Sequence, residues 1–171
     1  MNVVGLDLSL SCTGVADDTG TTHTVIVAPV RCGGDDLIAR CIRIRLQIID
    51  LTPARLDLVV IEDLVARSQA AAALGVLHGT IRVWLRAAQV PVLLVPPATL
   101  KKYATGKGNA NKDAVRDAAR DRGGLPAGVT SDECDAWWLR QIGLALAGDP
   151  AAVAVPKSHQ AALDKLRGDD A

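Results

Sequence analysis

Phenylalanine is missing from this 171-residue chain, and Trp84, Trp137, Trp138 and Tyr103 are its only aromatic residues. Base-stacking platforms are therefore scarce, and the core must be filled by Val, Leu, Ile and Ala. Paired cysteines are missing too. Cys12, Cys32, Cys41 and Cys134 are scattered with no C-x-x-C among them, which argues against a disulfide framework or a zinc site and reads them as reduced thiols in small core positions. No uninterrupted apolar run approaches the roughly 18 to 20 residues of a membrane span, and no basic-then-apolar leader opens the chain. A cytoplasmic protein without membrane contact is the expectation.

Net charge is also absent: 19 Lys and Arg balance 19 Asp and Glu, so the surface as a whole is not a polyanion binder. The charge is nevertheless uneven. Residues 1–36 hold five Asp against one Arg, and residues 99–122 hold seven Lys or Arg against three Asp. A basic patch between acidic regions suits phosphate contact on one face. Part of it is an ordinary helix face, with Asp113 and Asp117 placed to pair with Arg116 and Arg120.

At 49% hydrophobic residues the chain is long and apolar enough for one domain with its own core. Residues 2–8, 13–17 and 23–29 read as three strands of an antiparallel meander, with turn chemistry at Asp17-Asp18-Thr19-Gly20. The apolar spacing of 35–50 predicts a helix, LDLVVIE at 56–62 a strand buried on both faces, and 69–88 a long helix. VLLV at 92–95 is another buried strand, 98–103 a short helical turn, and 111–121 and 130–147 two further helices. This order predicts an α/β domain over residues 1–148, a mixed five-stranded sheet with helices on both faces, followed by a polar tail at 149–171.

Carboxylates stand where stability alone would not put them. Asp7 interrupts the apolar run MNVVGLDLS, Glu62 ends the buried strand LVVIE, and Asp132 and Asp135 share one face at the start of the last helix. Clustered carboxylates repel and drift towards protonation unless a cation sits among them. Oxygen ligands favour Mg²⁺ or Mn²⁺, and two such ions about 4 Å apart suit phosphodiester hydrolysis. Plainer readings stand beside this one. Asp7 can bond to Ser9 or Ser11, Glu62 can turn to solvent, and Thr130-Ser131-Asp132-Glu133 matches a capping box in which acidic residues suit the helix start.

Four stretches, GLDLSLSCTG at 5–14, VVIED at 59–63, LKKYATGKGNANKDAV at 100–115 and SDECDAWWL at 131–139, resemble in order and spacing the motifs of RuvC-type Holliday-junction resolvases. The resemblance spans residues 1 to 147 and implies an RNase H-like fold, a homodimer, and metal-dependent cutting of four-way DNA junctions. By position it implies metal-binding acids Asp7, Glu62, Asp132 and Asp135, with two ions per site, and phosphate-contacting catalytic lysines Lys101 and Lys112. Lys102, Gly106, Lys107 and Gly108 complete the DNA-contacting stretch. Helix 69–88 corresponds to the dimer helix, and its apolar stripe can face either the sheet or a twin. Val65 stands where the family often carries an aromatic, which leaves forks and flaps open as substrates beside four-way junctions. Two rivals remain at this stage: a junction-binding module of the same fold without activity, and an actin-like kinase, whose first strand has a similar Asp-containing motif.

Overall fold

The computed structural model describes residues 1–29, 35–64 and 71–167. Its sheet is built from β1 (Val3–Asp7), β2 (Thr13–Ala16), β3 (Thr22–Val25), β4 (Leu58–Glu62) and β5 (Val92–Val95), in the order β3-β2-β1-β4-β5. The first three strands form the antiparallel meander, and β4 and β5 add in parallel, each after a crossover. A mixed five-stranded sheet is what the strand and helix order predicts.

Side-chain alternation sorts the two faces. Val4 and Leu6 of β1, with Val59 and Ile61 of β4, bury against α1 (Asp36–Asp50) and α2 (Ala71–Ala87) through Cys41, Ile44, Ile48, Leu77, Ile81 and Leu85. The apolar stripe of α2 thus packs on its own sheet. On the opposite face, Val3 and Val60 meet Ala136, Leu139 and Ile142 of α5 (Ser131–Leu146), which is flanked by α3 (Pro97–Thr105) and α4 (Lys112–Gly123).

The seating of α5 is unusually close. A Cβ on Gly5 would stand 2.0 Å from the carbonyl oxygen of Ala136, and one on Gly14 would stand 2.0 Å from that of Asp132. Further along, a Cβ on Gly143 would meet Val60 and Val3 at 2.7 and 2.8 Å. The two strand glycines therefore let the helix backbone rest directly on the strand backbones, and Gly143 leaves room for the Val60 and Val3 side chains.

Residues 149–167 are polar in sequence but not free. They form two short turns of helix, α6 (Lys157–Gln160) and α7 (Asp164–Arg167), and bury Val155, Ala162, Leu163 and Leu166 in the same core as Leu100, Tyr103 and Ala104 of α3. The described part of the expected tail is a packed segment, and residues 168–171 lie outside the described residues.

Candidate active site

The sheet brings the first two acids together by register. Leu6 pairs with Ile61 in the parallel β1 and β4 ladder, so Asp7 and Glu62, one residue further on, leave the same end of neighbouring strands. Both belong to the alternation that faces α5, with Val3 and Gly5 before Asp7 and Val60 before Glu62. The helix arrives over the same place. Asp7 pairs with Gly14, against whose Cα the Asp132 carbonyl rests, and Ala136, next to Asp135, covers Gly5.

The start of α5 is fixed by a capping box. Thr130 Oγ1 accepts from the Glu133 amide at 3.2 Å, and Glu133 Oε2 accepts from the Thr130 amide at 2.8 Å. Glu133 is thereby committed to the cap, while Asp132 and Asp135 remain for the strand ends. Asn111 caps α4 in the same way, accepting from the Ala114 amide at 2.9 Å, which places Lys112 at that helix's first position. Lys112 Nζ lies 3.7 Å from Asp132 Oδ1.

Electrostatics show the convergence most directly. Burial, then the nearby charges of Glu62, Asp135 and Asp132, push the Asp7 carboxyl up to about 8, with Lys112 pulling the other way. Glu62 is pushed up to about 7 by burial and Asp135, against Lys101 and Lys112. Asp135 is pushed up to about 6 by burial, with Lys112 opposing, Asp132 adding and Lys101 opposing. Four acids from β1, β4 and α5 thus share one neighbourhood with a lysine from α3 and another from α4.

The plainer readings fare differently. Ser9 and Ser11 bond to each other at 3.0 Å, Thr13 closes the hairpin onto Ser9, and among the described residues nothing donates a hydrogen bond to the Asp7 carboxyl. Glu62 is not turned out to solvent but half-buried. The capping box is real, and it occupies Glu133.

Around the acids, Lys101 and Lys102 lie half-buried on α3, and the helix ends at Gly106 in the left-handed region at φ 82. Lys107 is exposed, and Gly108 passes close to the Ala98 carbonyl, 3.2 Å from where a Cβ would stand. Cys12, one of the cysteines the sequence reads mostly as small core residues, is instead half-buried beside the site, where burial and the nearby Asp132 push its thiol up. Its place five residues after Asp7, across the hairpin, was the only available signal. Val65 lies outside the described residues.

The donor set, four carboxylates with no thiolate or imidazole among them, fits a hard divalent cation. Among the described residues no group of three or more His, Cys, Asp or Glu side chains is already gathered to hold one ion. A cavity of about 770 Å³ between the β2–β3 turn and the α4–α5 loop, lined by Thr21, Trp137 and Arg140, contains none of these acids. The acids sit instead at the open ends of the strands, beside an exposed Lys112.

No family model matches the chain. Two curated relatives do: the crossover junction endodeoxyribonuclease RuvC of Nitratidesulfovibrio vulgaris strains Hildenborough and DP4, each 30% identical over 98% of this chain and 96% of its own length. Among solved structures, Thermus thermophilus RuvC superposes with a TM-score of 0.68 at 24% identity, covering 90% of this chain and 98% of its own. The same protein in complex with a Holliday junction substrate gives 0.66 at 20% identity, with the same coverage. The sheet order and helix placement are therefore those of the RNase H-like fold. On near-complete coverage at 30% identity, this chain belongs to the RuvC family of crossover junction endodeoxyribonucleases.

Proposed function

We propose that this protein is a homodimeric, divalent-metal-dependent endonuclease that hydrolyses phosphodiester bonds in four-way or otherwise branched DNA in the cytoplasm, in recombination and repair. The observation that carries this reading is the meeting of Asp7, Glu62, Asp132 and Asp135 at one end of the sheet with Lys101 and Lys112 alongside. The relatives' names and the junction-bound relative support the substrate class. That all four acids are present disfavours a binding module without activity.

Mg²⁺, or Mn²⁺ in its place, would be held by Asp7, Glu62, Asp132 and Asp135 and would supply a nucleophilic water at neutral pH and charge neutralisation at the scissile phosphate. The chain's own residues do the rest. Asp7 and Glu62, fixed by adjacent strands, would hold the cation at a set place at the ends of those strands. Asp132 and Asp135 close the site from the helix side, which the glycine contacts hold at fixed height. Lys112 Nζ, exposed and tethered near Asp132, swings to the phosphate oxygens as charge builds on them. Lys101 offsets the negative charge around Glu62 and Asp135, while Lys102, Lys107 and the backbone at Gly106 and Gly108 carry the flanking phosphates.

The twin contact falls on the outer face of α2. Gly75 and Gly79 leave open space where a Cβ would stand, and Val83 is 71% exposed, so a second helix can approach closely there. A two-fold dimer presents two such sites to the two opposing, symmetry-related strands of a junction. The test is cleavage of an end-labelled four-way junction in Mg²⁺. Wild-type protein should nick it, and Asp7→Asn should lose at least about a thousandfold in rate; equal cutting by the two would overturn the assignment.

A further inference from the structure

The last turn of a helix leaves carbonyl oxygens without intrahelical donors. At the end of α3 these are met by named partners. The Gly106 amide donates to the Lys102 oxygen at 2.8 Å, Arg122 Nη1 from α4 donates to the Ala104 oxygen, and His159 Nδ1 lies 3.1 Å from the Tyr103 oxygen. A carbonyl oxygen only accepts, so Nδ1 carries the hydrogen and Nε2 faces the other way. It faces Gly106: a Cβ built there would stand 2.8 Å from His159 Nε2. His159 is buried, 8% exposed, and comes from α6, some fifty residues beyond the loop.

Gly106 is the residue at which the chain leaves α3 for the basic loop. Thr105 Oγ1 donates to the Lys101 oxygen at 2.8 Å and accepts from the Lys107 amide at 3.2 Å, and the Ala110 amide returns to the Lys107 oxygen at 3.2 Å. The backbones of both lysines are thereby tied to one turn, and one buried ring stands against Gly106 at its start. Tyr103 in turn meets Trp138 edge to face, with ring centroids 5.9 Å apart, and Trp138 Nε1 donates to the Val115 oxygen at 3.1 Å. A continuous path of contacts thus joins α6 to the helices that carry Lys101, Lys112 and the acids Asp132 and Asp135.

We infer that His159 is a positioning residue: the ring braces the Gly106 turn so that Lys107 and Lys101 meet DNA phosphates from a preset backbone, and residues 155–166 belong to the DNA-binding apparatus. Ordering this loop in advance spares its ordering cost on binding. The inference rests on reading 101–112 as the phosphate-contacting stretch, and it adds the element that holds this stretch in shape.

The experiment compares wild-type, His159→Ala and His159→Asn proteins in single-turnover cutting of a labelled four-way junction, with tryptic cleavage after Lys107 followed by mass spectrometry. Asn can still donate to the Tyr103 oxygen. His159→Ala should raise the half-saturating protein concentration about tenfold, leave the plateau rate within about twofold, and speed cleavage after Lys107 at least about fivefold. His159→Asn should stay within about threefold of wild type in binding. Unchanged binding and an equally protected Lys107 in His159→Ala overturn the inference, as does a loss confined to the plateau rate. If His159→Ala does not fold, Gly106→Ala is made in the wild-type and His159→Asn backgrounds. It should weaken binding at least about threefold less in the second, where no ring edge opposes the new methyl; equal effects overturn the inference. A wild-type protein that does not cut the junction defeats the proposed activity instead, while the tryptic comparison still judges the brace.

Discussion

Asp7 is a carboxyl held in a place that favours its protonated form. Its folded-state value is about 8 against an unfolded 3.8, so the folded chain keeps this proton where the unfolded chain has lost it. Metal-free stability is therefore highest below about pH 4 as far as this group is concerned, and falls as pH rises through the window from 3.8 to about 8. Glu62 and Asp135, raised to about 7 and about 6, act in the same direction over narrower windows. Replacing Asp7 by Asn should raise metal-free stability at pH 8 by about 1 to 3 kcal/mol, a gain that vanishes towards pH 4. Urea denaturation at both pH values checks this, and destabilisation at pH 8 would contradict it. The proposed metal site needs the ionised forms, so the rate of cutting at limiting Mg²⁺ should climb between pH 6 and 8, and added metal should move that rise to lower pH. Lys112, exposed and free to reach a phosphate, should matter to rate more than to folding. Lys112→Ala should slow cutting about a hundredfold while leaving the thermal midpoint within about 2 °C.

The element on which the site depends is α5, and its height above the sheet is set by what Gly5 and Gly14 lack. A methyl on either strikes a backbone oxygen at 2.0 Å, whereas one on Gly143 meets only the tips of Val60, Val3 and Leu58 side chains. Gly5→Ala should thus cost about 3 kcal/mol or more and Gly143→Ala about 1 to 2, compared by urea midpoints. Reversal of that order would mean that the helix does not rest on the strand backbone. None of this closeness was legible in the sequence. Each glycine reads locally as a strand or helix position, and only the docking of residue 5 against residue 136 gives it meaning. The capping box at Thr130 and Glu133 was legible because its partners lie three residues apart. For the same reason the strand and helix order was readable from periodicity, while the apolar residues of 149–167, interspersed with charges and broken by Pro156, read as a tail and proved to be part of the core. Asp7 and Glu62 stood out because each lay against the grain of an apolar run, whereas Asp132 suited a helix start and was marked by the order and spacing of its motif. His159, lone and without a motif, did not stand out.

At the scale of the whole molecule, the proposed dimer adds a requirement to the single site. One chain offers one cluster of acids, and paired cuts across a junction need two. The outer face of α2, with Gly75, Gly79 and exposed Val83, is the surface through which a second copy is proposed to join. Gly79→Glu puts a charge at that contact and should convert a dimer to a monomer by light scattering, leaving fold and metal affinity in place while paired cutting of the junction is lost. A dimer that survives this change would place the contact elsewhere. Among the described residues no helix is long and apolar enough to cross a membrane, and Lys101 and Lys112 of the basic stretch 99–122 lie beside the acids, on the side from which the DNA backbone is proposed to approach.

The most direct test is a crystal structure of the protein grown with Mn²⁺, with the metal located by its anomalous signal under conditions in which Mn²⁺ supports junction cutting. Peaks are expected within about 2.5 Å of carboxylate oxygens from Asp7 together with Glu62 on one side and Asp132 or Asp135 on the other. Peaks that avoid Asp7, or an empty site in protein that still cuts, would contradict the convergence of strand and helix acids on a shared cation.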